Sequence, residues 1–327
     1  MIRRAGCQAH CEEKHPMTAI PAFPDLGEVT VLTRTIASLA VIAFNLPAEA
    51  QGLPTLNVPA AVYELNEDGS GWTKVIAPGD FVRIGSLRQS PDGTRLCFDG
   101  VKSGDPWSAA MLLSCRPDGT DFQVHGKGAM PNFSPDGKRL SYCDYGEHSV
   151  RVLNLAERAS TMIEEGWGVQ WSPVSNHIAY VVHGGTVVIR NVDTGEKRML
   201  FPAGSSPYQS VQYNMAWSHD GKHLAIQGQR AGGAREIAVV DAQGAEFGFK
   251  IVTTITAASN FLAFHPSGGK IAFQSYTKGN GCSQLFLVDV EKGGEPARIS
   301  GQPDDFDNVS VCWLQGGSKL RMISWQR

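Results

Sequence analysis

At 327 residues with 42% hydrophobic composition, the chain is long enough to bury one large core. Its formal net charge of −3 and lack of any long basic run exclude a general nucleic-acid surface. Beyond residue 50 no apolar run exceeds strand length, so no membrane span is expected there.

The first feature in chain order is "TIASLAVIAFNLPAEA" at 35 to 50, an uncharged apolar stretch after Arg34 that ends in Ala48-Glu49-Ala50. A short apolar segment before a small-x-small site predicts a secretory signal peptide and a periplasmic or secreted protein. Some thirty residues precede it, including Asp25 and Glu28, where a short basic region is expected. That points to initiation at Val29 or Val31, and leaves Cys7, His10, Cys11 and His15 outside the working protein. Residues 1–50 are read as extension plus leader, and 51–327 as the working domain.

From residue 61 the chain repeats itself. "RQSPDGTRLCF" (88 to 98) and "NFSPDGKRLSY" (132 to 142) are variants of one phrase, in which proline, aspartate and glycine supply the geometry of a tight turn. Aligned on the proline slot, six copies fall at Pro91, Pro135, Pro173, His219, Pro266 and Gln315, with steps of 44, 38, 46, 47 and 49 residues. Five places on, every copy is apolar (Leu96, Leu140, Ile178, Leu224, Ile271, Leu320), as it is seven places on (Phe98, Tyr142, Tyr180, Ile226, Phe273, Met322). Small residues mostly stand between, which is the alternation of a strand packed on two unequal faces. A preceding strand is marked by Phe133, Trp171, Trp217, Phe264 and Trp313, with Gln89 as the exception in the first copy. The three tryptophans are predicted to be core. A second family of turns lies between, for example Glu67-Asp68-Gly69 and Asp193-Thr194-Gly195.

Four short strands per unit of roughly 40 to 45 residues predict an all-β fold, a six-bladed β-propeller. The chain opens on a turn of the second type and closes on a hairpin of the first (309 to 324). Residues 61 to 77 therefore supply the outer strands of the blade whose inner strands are C-terminal. This closure leaves no free inner edge.

"FSPDGKRLSY" and "VYELNEDGSG" resemble the two halves of the repeat of TolB-like propellers, with their WD40-like PD40 repeats. The resemblance covers roughly 60 to 325. It implies a binding or scaffold module acting through protein-protein contact in the periplasm or envelope, with partners such as a peptidoglycan-associated lipoprotein. TolB itself carries a further N-terminal domain, for which the reading above leaves no room, and this counts against membership of a Tol system.

No Gly-x-Ser-x-Gly elbow, His-Glu-x-x-His helix, Cys-x-x-Cys pair or phosphate loop is present. No metal or cofactor is expected, and the module is read as a monomer. The five remaining cysteines (Cys97, Cys115, Cys143, Cys282, Cys312) are read as small buried residues, with Cys282 the most exposed. His177, His219, His223 and His265 fall at the first-type turns and are read as solvated. His148 and His183 occupy loops between second and third strands, on the face where propeller ligands usually bind. The same face gathers Tyr145, Tyr208, Arg230, Arg235, Tyr276, Asp305 and Phe306, residue types favoured at loop-borne contacts. With His148 and His183 these form the candidate binding set. The alternative reading is a propeller lyase resembling oligogalacturonate lyase, which uses histidines and a metal at that face.

Overall fold

The computed structural model describes residues 59–202, 204–243, 248–255, 259–277 and 281–326. The leader at 35 to 50 and the proposed start lie outside these residues. Six antiparallel sheets follow one another, each packed on the next and the sixth on the first. The fold is a six-bladed β-propeller.

Five inner strands are Phe81–Gln89, Ala129–Phe133, Trp167–Trp171, Ser259–Phe264 and Phe306–Trp313. In the fourth blade the inner strand is broken into Ser210–Val211 and Ala216–Trp217. The second strands are Leu96–Lys102, Arg139–Asp144, His177–Val182, His223–Gln229, Lys270–Tyr276 and Lys319–Gln326. The twelve apolar positions that define the repeat are all buried in these second strands. Ala61–Asn66 pairs with Lys319–Gln326 from Ala61↔Ser324 to Asn66↔Lys319, and Thr73–Ile76 adds the outermost strand. The ring therefore closes as the turn phase requires.

The intact turns share one wiring. Ser90, Ser134 and Ser218 each donate to the aspartate two places on at 2.6 Å, and each accepts the backbone N–H five places on at 2.9 Å. Where the motif decays, other bonds replace it. The His265 ring bonds Ser267 (2.7 Å) and the Gly317 carbonyl (3.0 Å) and sits edge-on to Trp313, so it ties the fifth turn to the sixth and is not a solvated residue. Gln89, the exception among the aromatics, accepts from Gln315 N at 3.0 Å and thereby joins the first turn to the sixth. Trp171 and Trp313 are buried, but Trp217 is only half-buried. Its indole N–H donates to the Gln170 carbonyl of the neighbouring blade at 3.1 Å.

Five inner strands carry a bulge on a residue with positive φ: Ser86 (55°), Met130 (57°), Gly168 (73°), Phe261 (56°) and Ser310 (53°). A bulge takes a backbone N–H out of the ladder, so a partner must come from elsewhere. In three blades the preceding blade supplies it. Ser310 Oγ accepts from Ser86 N at 2.7 Å, Asp99 Oδ2 from Met130 N at 2.6 Å, and Cys143 Sγ from Gly168 N at 3.2 Å.

At the closing blade, Glu64 accepts from Lys319 (2.5 Å) and Arg321 (2.9 Å), and Arg321 also donates to the Pro117 carbonyl of the first blade. Burial pushes the Glu64 carboxyl up, but the two cations outweigh it and hold it below its ordinary value. A depressed carboxyl stabilises the fold above its ordinary pKa, and that contribution is lost as pH falls through the folded value. Glu64→Gln should therefore destabilise by about 2 kcal/mol at pH 7, because it strands the buried Arg321. In denaturant melts the gap from the parent should shrink below about pH 4.

Candidate functional site

Antiparallel order places the loops between second and third strands at the same end of each blade as the links between blades. On this face the first residue of the third inner strand is Trp167, and the equivalent residue of the fourth blade is Tyr213. Both pack on one apolar cluster together with Tyr145 of the second blade. The Tyr145 and Trp167 rings meet at 4.8 Å between centroids, and the His148 ring lies 6.1 Å from Trp167. Gly168 makes the close approach possible: it has positive φ, and a Cβ there would fall 2.3 Å from Tyr213 Cβ. Any larger residue would drive the fourth blade's Tyr213 away from Trp167.

The patch is a polar-tipped aromatic surface. Among the described residues, neither the Tyr145 nor the Tyr213 hydroxyl has a hydrogen-bond partner, and neither is a sealed, unsatisfied atom. Burial raises both phenols, Tyr213 to about 12, and the charge of Asp99 adds to the rise. Both are neutral donors at physiological pH. Asp99 itself is 3% exposed, and its Oδ1 has no hydrogen-bond partner, while Oδ2 holds the Met130 amide. Burial raises its carboxyl as well. The arrangement offers aromatic faces, two free phenol donors and a buried acid near the channel, which suits recognition more than bond cleavage.

Of the nine candidate residues, the structure brings Tyr145 and His148 together. Tyr208 forms a separate cluster on the fourth blade with Arg230. Contrary to the expectation of a surface contact, Tyr208 is buried at 6% exposure. Its hydroxyl donates to Glu236 Oε2 (3.0 Å), Arg230 Nε donates to Glu236 Oε1 (2.8 Å), and the guanidinium lies 5.5 Å from the tyrosine ring. Gly228 leaves room for that ring, since a Cβ there would sit 2.3 Å from it. The cluster pins the link between the third and fourth blades. Arg235 opens the adjoining strand and pairs with Gln229. His183 is exposed on the third blade's loop, and Tyr276 is half-buried at a strand end.

Phe306 packs edge-on against Tyr63 and Trp72 of the closing blade, and Asp305 accepts from Gln326 at 2.6 Å. Cys282, expected to be exposed, is buried like the other four cysteines of the domain, and all five are free thiols. Among the described residues no three His, Cys, Asp or Glu side chains gather at metal-binding distance, and no helix is long and apolar enough to cross a membrane.

Trp167, Tyr213 and Asp99 were outside the candidate set. The repeat register contains a signal for the first two. Four places before each inner-strand aromatic stand Gly85, Ala129, Trp167, Tyr213, Asn260 and Val309, so only two blades place a ring there. Asp99 is likewise the single acid in a series that continues Cys143, Val181, Gln227, Gln274 and Ile323.

A protein of Agrobacterium tumefaciens assigned as TolB superposes with a TM-score of 0.62 at 17% identity, over 83% of this chain and 99% of that one. The chain has the TolB-like propeller fold. TolB of Acinetobacter baumannii matches with a TM-score of 0.57 at 17% identity, over 85% of this chain and 66% of its own length. Hydrazine synthase of Kuenenia stuttgartiensis matches with 0.51 at 19% identity, over 74% of this chain and 73% of that one. At such identities the likeness of this TolB-like propeller to each establishes fold alone. No family model matches the chain, and no curated protein matches it in sequence.

Two outcomes follow for the TolB-like propeller. Tyr208→Ala should cost about 3 to 5 kcal/mol in denaturant unfolding, as for a buried aromatic, and Tyr208→Phe about 1 kcal/mol for the bond to Glu236. A neutral Tyr208→Ala would return the residue to the surface. Asp99→Asn keeps an acceptor for Met130 and removes the charge. A carboxyl raised by burial destabilises the fold progressively as pH rises from its ordinary value through its folded one. The variant should therefore gain melting temperature over the parent at pH 8 and not at pH 4.

Proposed function

We propose that the protein is an exported binding module, residues 51–327, that engages a protein or another envelope component through the aromatic patch of Tyr145, Trp167 and Tyr213. The carrying observation is that two phenol hydroxyls without protein partners stand beside a packed indole at the rim of the ring. Tyrosine and tryptophan are the residue types that most often dominate protein contacts, because they bury large area at small entropic cost. His148 borders the patch, and Asp99 lies within electrostatic reach of both tyrosines. The leader at 35 to 50 supports export, and the likeness to two TolB structures is in keeping with a scaffold role.

A lyase would need histidines gathered about a metal. His148 sits on Trp167, and His183 belongs to the adjacent blade's exposed loop. No specific observation favours that reading over recognition.

The test is capture from envelope extract by the immobilised domain, followed by titration of the captured component. Tyr145→Ala combined with Trp167→Ala should weaken binding by about 2 kcal/mol or more, roughly 30-fold. Equal binding by the double variant would remove the patch from the interface. One equivalent of bound metal with uronate-polysaccharide cleavage lost on His148→Ala would replace the binding module with the lyase.

A further inference from the structure

Arg88 occupies the inner strand of the first blade, Asn132 that of the second and Gln170 that of the third. Arg88 Nε donates to Gln170 Oε1 at 3.0 Å, a bond that skips the second blade and so crosses the central channel. Arg88 Nη1 donates to its own strand at Leu87 O, also at 3.0 Å. Nη2 has no acceptor among the described residues, and Arg88 makes no ion pair there. Asp99 is the acid whose charge it feels, but no bond or ion pair joins the two: Oδ2 holds Met130 N, and Oδ1 has no partner.

The rest of the cluster is equally rich in donors. Gln170 is 4% exposed, and its amide orientation is dictated because Oε1 must face the guanidinium. Its Nε2 is thereby turned out with no acceptor in the protein, and it is not among the sealed, unsatisfied atoms, so it borders open space. Asn132 is fixed likewise: Oδ1 accepts from Trp171 N at 3.0 Å, and Nδ2 reaches Gln170 Oε1 only at 3.5 Å. The Arg88 guanidinium is half-buried, and a cation partly withdrawn from water is as a rule paired. Among the described residues no acid is bonded to it, while two amide donors stand nearby in orientations set by other bonds.

We propose that Arg88, Gln170 and Asn132 form a carboxylate-binding site in the central channel, one residue from the ends of inner strands one, three and two. The carboxylate accepts from Arg88 Nη2 and Gln170 Nε2 together, the two-pronged geometry that suits a planar oxyanion. The site uses none of the residues of the aromatic patch and does not depend on its assignment.

Calorimetric titration of the intact domain with acetate, with N-acetylglycylglycine and with the C-terminal amide of that dipeptide tests the proposal. Both carboxylates should bind and raise the melting temperature, and the amide should do neither. Equal affinities of acetate and dipeptide would make the ligand a small free carboxylate, whereas a dipeptide tenfold tighter would make it a chain end. Arg88→Met should weaken carboxylate binding at least tenfold. Gln170→Glu guards against misfolding of that variant, because it places a carboxylate on the guanidinium from within. It should abolish binding while leaving the melting temperature equal to or above the parent's. Failure of both carboxylates to bind, or binding untouched by either substitution, overturns the site.

Discussion

Each sheet of this protein is apolar on both faces, so no blade can be stable without a neighbour on either side. The second strand of the first blade shows the constraint: Phe98 turns into one cluster with residues of the closing blade, while Cys97 turns into another with Phe133, Leu140 and Tyr142 of the second. A linear stack would leave two apolar faces in water. Closing the stack into a ring removes both, and the cost is a seam at which strands distant in sequence must pair. The seam is charged, with Glu64 between Lys319 and Arg321, and with Arg321 reaching on to Pro117 of the first blade.

Ring closure also explains the bulges. Six twisted sheets meeting at one axis crowd their inner strands, and a bulge increases local twist by releasing one residue from the ladder. The amide released at Ser86, Met130 or Gly168 is held by the blade before it. Packing between blades is non-directional; these bonds are not, and they set the rotation of one inner strand against the next. The patch of Tyr145, Trp167 and Tyr213 inherits that precision, since Trp167 immediately precedes the bulge at Gly168.

The fold was legible because it is written six times. Turn chemistry decays at Pro173 and Gln315, yet the apolar pair five and seven places on survives in every copy, since burial on two faces tolerates no polar substitute there. The site was less legible, for a reason visible in particular residues. Tyr208 sits in a glycine- and serine-rich link that reads as solvated, and nothing local reveals that Gly228, twenty residues on, opens a slot for its ring. His265 reads as a turn residue until Gly317, from the last turn, is placed beside it. Cys282 lies in a glycine-rich loop but is turned inward. In each case the deciding contact is remote in sequence, and repeat register carries no information about it. Where register does carry information, as for Trp167 and Tyr213, the signal lies in departure from the repeat and not in agreement with it.

Departures from the repeat also separate structural from functional polarity. Some buried polar groups form closed networks: Asn308 donates to Gln284 and Gln302, those two amides donate to neighbouring carbonyls, and Ser324 completes the set. Others are left open near the axis. Asp99 has an oxygen without a donor, and Arg88 and Gln170 have nitrogens without acceptors. An acid opposite Arg88 would have supplied its acceptor, but the ladder places Cys97 there. A half-buried guanidinium without a bonded acid contributes nothing to the packing of the ring that a neutral side chain would not. Within the channel an incoming group can supply the acceptor that Arg88 and Gln170 lack, and this ties two residues that the repeat does not explain to a region a ligand can enter.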